Sequence, residues 1–127
     1  MIFTDERFEQ VKRGEKTQTC RVNLGNYTVG KSYACQPGRG KRGEGRILIT
    51  DIALDENVTT ITPYDAKAEG FADAQEFLTV WTEMHDKPMY YDLRPTVILR
   101  QCAERAKQYP ERYRAWKLTF VYIPPEG

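Results

Sequence analysis

The chain has a single histidine, His85, in 127 residues, and that scarcity excludes any multi-histidine metal centre. Cysteine is sparse as well. Cys20, Cys35 and Cys102 are odd in number and widely spaced, matching neither a disulfide framework nor a zinc pattern. Free thiols in a reducing cytoplasm are the expectation. An excess of one charge is also missing. With 19 Lys and Arg against 18 Asp and Glu, the net charge is +1, so any basic surface must be local. No apolar run is long enough to span a bilayer. The opening MIFTDERFEQ is too charged and too poor in apolar residues for a secretory signal. The expectation is one cytoplasmic domain over residues 1–127 with no metal, no cofactor and no membrane partner.

What is present suffices for a core. Forty per cent of residues are hydrophobic and 12% aromatic, enough to fill the interior of one ordinary domain. Phe8 and Val11 are spaced for a short amphipathic helix over residues 5–13, capped by Thr4 or Asp5 and ended by Gly14. Strands are expected at Thr17–Val22, Ser32–Gln36, Ile47–Leu54 and, shorter, Asn57–Ile61. Thr62 and Pro63 open a helix that runs to Glu69 and stops at Gly70. Asp73 opens another, with Phe77, Val80 and Trp81 on one face. Pro88 lies in the connection to a third helix, Pro95–Tyr109. Trp116–Ile123 alternates as a closing strand. Strands near both ends with helices between them imply an α+β fold built around a partly closed β-barrel with flanking helices.

The stretch Gly14-Glu15-Lys16-Thr17-Gln18-Thr19-Cys20-Arg21 carries the chemistry. Alternation on a strand puts Thr17, Thr19 and Arg21 on one face and Gln18 and Cys20 on the other. Lys16 enters at the turn, where it can lean over the Thr19 face. A hydroxyl, an amine and a guanidinium beside a tight turn suit anion handling or acyl transfer. The competing reading is a polar edge strand whose lysine makes an ion pair. Cys20 reads as structural, since nothing in the sequence places His85 beside it. A second candidate surface is the glycine-rich run holding Arg39, Lys41, Arg42 and Arg46, suited to phosphate contact. Arg100, Arg105, Lys107, Arg112 and Arg114, with Tyr109 and Tyr113 among them, could extend it as a base-stacking strip.

Three features together resemble the ASCH domain of the PUA-like superfamily. These are Gly14, Lys16, Thr19 and Arg21 after a helix, the strand Gly45–Ile52, and Glu69-Gly70-Phe71 followed by Phe77 and Trp81. The resemblance covers about Phe3 to Trp81 plus the closing strand, leaving about 87–114 as a helical elaboration. It implies a small PUA-like β-barrel with a cleft beside the Gly-x-Lys turn. Members of the family include RNA-associated modules, a ribonuclease type and an amidohydrolase that removes the acetyl group from N4-acetylcytidine. Carried over residue by residue, that hydrolase's catalytic lysine, threonine and glutamate fall on Lys16, Thr19 and Glu69, and the family's arginine on Arg21. The resemblance thus implies a modified nucleoside or RNA as partner, with Arg21 as a substrate-binding residue; the glycine-rich loop, read on its own charges, adds Arg39, Lys41 and Arg42 as substrate-binding candidates. Three functions follow: amidohydrolase, noncatalytic RNA-binding module, or ASCH-type ribonuclease. The last finds no histidine pair and no metal-ligand carboxylate cluster here.

Overall fold

A computed structural model describes residues 1–36, 45–86 and 95–126. Helix α1, Asp5–Lys12, begins where the Thr4 hydroxyl accepts from the Arg7 backbone N–H, and Phe8 and Val11 turn inward from it. The chain reverses at Gly14, whose φ of +76° suits a residue without a Cβ. Strands β1 (Gln18–Arg21), β2 (Ser32–Ala34), β3 (Arg46–Asp55) and β4 (Ala115–Ile123) form one antiparallel sheet in the order β1-β4-β3-β2. The sheet is open, with β1 and β2 as its edges, and the N-terminus adds a parallel bridge between Ile2 and Gln36.

Alternation sets which residues face inward. Leu118 and Phe120 on β4 join Ile47 and Ile49 on β3, and Phe3, Phe8 and Val11 cover them. A bulge between Ile49 and Asp51 inserts one extra residue, which swaps the phase of β3. Ile52 therefore reaches the same cluster although it is an odd number of residues from Ile49.

The other core belongs to the helices α2 (Pro63–Ala68), α3 (Ala74–His85) and α4 (Pro95–Gln108). Thr62 caps α2 with Pro63 in its first turn, and Asp73 caps α3 through the Glu76 backbone N–H. Phe77, Leu78 and Trp81 of α3 pack with Ile98, Cys102 and Ala106 of α4 and with Tyr113. The segment read as an elaboration thus supplies part of a shared core. Among the described residues no helix is long and apolar enough to cross a membrane.

One expected strand is absent. Val58–Thr60 is a 3-10 turn, because the Asn57 side chain accepts from both the Thr59 backbone N–H and its hydroxyl and so curls the chain. Pro88 lies outside the described residues.

A buried polar knot ties α3 to α4. The Asp86 carboxylate accepts from Arg105 at 2.9 and 2.8 Å, from Arg112 at 2.8 Å and from the Tyr113 hydroxyl at 2.6 Å. Tyr109 lies against both guanidiniums. Arg105, Arg112 and Tyr113 are therefore committed internally, and the fully buried Tyr113 is not a base-stacking surface.

Candidate functional site

The turn after α1 delivers Lys16 into the protein rather than into water. Its backbone N–H bonds back to the Gln10 carbonyl, and the next residue's N–H bonds to the Ala68 carbonyl at the end of α2. The Lys16 side chain is only 5% exposed, and its amine donates to the Gln18 carbonyl at 2.8 Å and the Glu69 carbonyl at 2.7 Å. Burial pulls its pKa down to about 8, with the nearby Glu69 charge opposing that shift. A neutral amine has two N–H groups and a lone pair. The two carbonyls match the two donors and leave the lone pair free for a proton.

Glu69 lies at the C-cap of α2 and is 3% exposed. Its Oε1 accepts from the backbone N–H of Cys20 at 2.9 Å, on the free edge of β1. Its Oε2 is buried with no hydrogen-bond partner among the described residues. Burial raises the Glu69 pKa, although Lys16 pulls the other way. Lys16 meets Glu69 through its backbone carbonyl rather than its carboxylate. The local turn is anchored from α1, where Arg7 and Gln10 both donate to the Gly70 carbonyl. Gly70 has φ +96°, and a Cβ there would meet Gln10 Oε1 at 2.5 Å. Gly70→Ala is therefore expected to lower the unfolding free energy by about 2 kcal/mol in urea titrations.

The two faces of β1 divide the candidates. Thr19 pairs with Leu118 on the α1 side of the sheet. Cys20 pairs with Lys117, which reaches Asp65 of α2 at 3.9 Å, so Cys20 and Gln18 face α2 along with Lys16. Lys16 thus leans to the face opposite Thr19, contrary to the strand reading. Both faces nevertheless open on one cavity, because β1 is an edge strand. A cavity of about 640 Å³ is lined by Lys16, Thr19, Arg21 and Glu69 together. The Arg21 guanidinium lies 5.3 Å from the Tyr27 ring, and its buried Nε has no partner among the described residues.

Cys20 also touches the cavity, but burial and the Glu69 carboxylate push its thiol far above the ordinary range, so it is not a nucleophile. Arg39, Lys41 and Arg42 lie outside the described residues. Arg46 is bonded to Ser32 through its hydroxyl and its carbonyl. Among the described residues no group of three His, Cys, Asp or Glu side chains could hold a metal ion.

Among the cavity residues that sequence reasoning missed are Arg7 and His85. Arg7 stacks over Phe71 at 4.0 Å, and His85 packs on Trp81 at 4.2 Å. The signal for His85 was its place two helical turns after Phe77; Arg7 gave none, since its role arises only when α1 meets Gly70. Phe77 and Trp81, read as core, are core and cavity wall at once.

No protein-family model matches the sequence, and no curated protein does. Solved structures do match. The hypothetical protein PH0355 superposes with a TM-score of 0.62 at 15% identity, over 97% of this chain and 96% of its own. A protein of Enterococcus faecalis, EF3133, from the family DUF984, gives 0.58 at 18% identity over 97% and 79%. An ASCH domain from Lactobacillus crispatus gives 0.55 at 21% identity over 92% and 70%. The fold is ASCH-like, of the PUA-like α+β type.

Proposed function

We propose that this protein is an amidohydrolase that removes an acyl group from a modified nucleoside such as N4-acetylcytidine. One observation supports it above the others: two buried ionisable groups lining one cavity have their proton affinities pushed towards each other, Lys16 down and Glu69 up. Shifts in these directions suit a base and an acid acting in one site. A lysine and a carboxylate with ordinary values would supply neither.

Neutral Lys16 takes the hydroxyl proton of Thr19 as Oγ bonds to the acyl carbon, and the carbonyl electrons move onto oxygen. Arg21 lines the same cavity, and its guanidinium is a donor for that oxygen. The intermediate collapses as the C–N bond breaks, and protonated Glu69 gives its proton to the departing exocyclic nitrogen. Water then gives a proton to Glu69 and its hydroxide portion to the acyl ester. Thr19 leaves with the proton held by Lys16, which restores the site and yields one amine and one carboxylic acid per water consumed.

The test is incubation of purified protein with N4-acetylcytidine, following cytidine and acetate by chromatography. Turnover is expected, with a bell-shaped pH dependence. One limb lies near pH 8, where Lys16 exchanges its proton, and the other marks the ionisation of Glu69, which burial raises above the ordinary carboxylate value. Cytidine binding without any turnover would assign the cavity to a binding module instead.

A further inference from the structure

Phe77, Trp81 and His85 recur every fourth residue along α3, the spacing that aligns side chains on one helical face. Their rings form a continuous row. Phe71 meets Phe77 edge-on at 5.5 Å, Phe77 stacks with Trp81 at 5.9 Å and 22°, and Trp81 contacts His85 at 4.2 Å. All four rings line the cavity. The row begins at Phe71, two residues from Glu69, and runs towards the exposed Met84. The helical rise separates Phe77 from His85 by about 12 Å along the axis. That length accommodates a pyrimidine ring and its attached sugar laid end to end.

His85 ends this row half-buried, with no hydrogen-bond partner among the described residues. Burial keeps its pKa below the ordinary histidine value, so the imidazole is neutral and offers one donor and one acceptor. A hydroxyl has the same two capacities. A histidine placed only for packing would stack on Trp81 equally well as phenylalanine, whereas a donor–acceptor pair that no described residue uses, at a cavity wall, suits a polar ligand group.

We propose that His85 is a positioning residue that hydrogen-bonds a sugar hydroxyl of the bound nucleoside, with the base lying against Phe77 and Trp81. The inference rests on the amidohydrolase reading for its orientation, with the acyl amide at Glu69 and the sugar at the far end. It makes the site selective for nucleosides over free bases.

The test compares N4-acetylcytidine with N4-acetylcytosine, which lacks the sugar, using wild type, His85→Phe and His85→Gln. His85→Phe keeps a ring against Trp81 and removes both polar atoms. It is expected to raise KM for the nucleoside about five- to tenfold, the loss of one net hydrogen bond. It should leave kcat within about twofold and KM for the free base unchanged. His85→Gln should recover part of the nucleoside KM. An equal rise for both substrates, or no rise for the nucleoside, overturns the inference. Calorimetry with cytidine and cytosine provides a second arm that needs no turnover. Wild type should prefer cytidine, and His85→Phe should lose the preference; equal discrimination by both proteins, or none in wild type, overturns the proposal. Absent turnover with a preference that depends on His85 would sink the hydrolase reading and leave the sugar contact standing.

Discussion

Thr19→Ala is expected to reduce kcat/KM for N4-acetylcytidine by about 10³-fold or more, while cytidine affinity measured by calorimetry stays within about twofold. The asymmetry is the point. Thr19 is half-buried on an edge strand, and its hydroxyl makes no hydrogen bond among the described residues, so its loss removes chemistry and little else. Thr19→Ser keeps the hydroxyl and should keep partial activity. Lys16→Arg should fail as completely as Thr19→Ala, since a guanidinium stays protonated and cannot take the hydroxyl proton. Glu69→Gln should cost about 10²-fold or more by removing the proton for the leaving nitrogen. Steady-state kinetics of the four variants checks the set. Turnover by Thr19→Ala at the wild-type rate would end the acyl-threonine mechanism.

The largest expected stability loss lies away from the site. Asp86→Ala should lower the unfolding free energy by about 3 kcal/mol, near the low end for a broken buried pair because Arg105 and Arg112 are partly exposed and can rehydrate. Tyr113 has no such escape, since it is fully buried and would lose its acceptor. The same knot predicts acid lability. The hydrogen bond from Arg105, followed by those from Tyr113 and Arg112, holds the Asp86 carboxyl well below its ordinary value of 3.8. A depressed folded pKa contributes stability that is complete above the unfolded value and drains away as pH falls below about 4. Urea titrations from pH 6 downwards should show wild type losing stability below that point. The Asp86→Asn curve should be flatter there, and parallel curves would remove Asp86 as the cause.

Local signals in the chain carried the elements well. Thr4, Thr62 and Asp73 each cap the helix they appeared to cap, and Trp116–Ile123 is the closing strand within one residue. Asn57–Ile61 misled because β-branched residues suggest a strand, while one asparagine side chain bonding two residues ahead decides for a turn. The bulge in β3 was hinted at only by the odd spacing of Ile52, which strict alternation would have placed outside. The direction of Lys16 was not legible. Alternation applies within a strand, and Lys16 precedes β1, where tethering to Gln10 and Ala68 sets its course. The depth of its burial, which makes it a candidate base at all, depends on a helix fifty residues away. No local pattern reports that.

The hydrogen bond from the Cys20 backbone to Glu69 has a second meaning. β1 ends the sheet, and an unfilled strand margin is a template on which another copy of the chain could dock. Glu69 occupies part of that margin with a side chain that no incoming strand can imitate. The residue proposed to move a proton therefore also covers a backbone donor on the open margin of the sheet. Glutamine retains an acceptor for the Cys20 N–H and separates the two duties. Alanine removes both, and aggregates of such a variant would say nothing about chemistry.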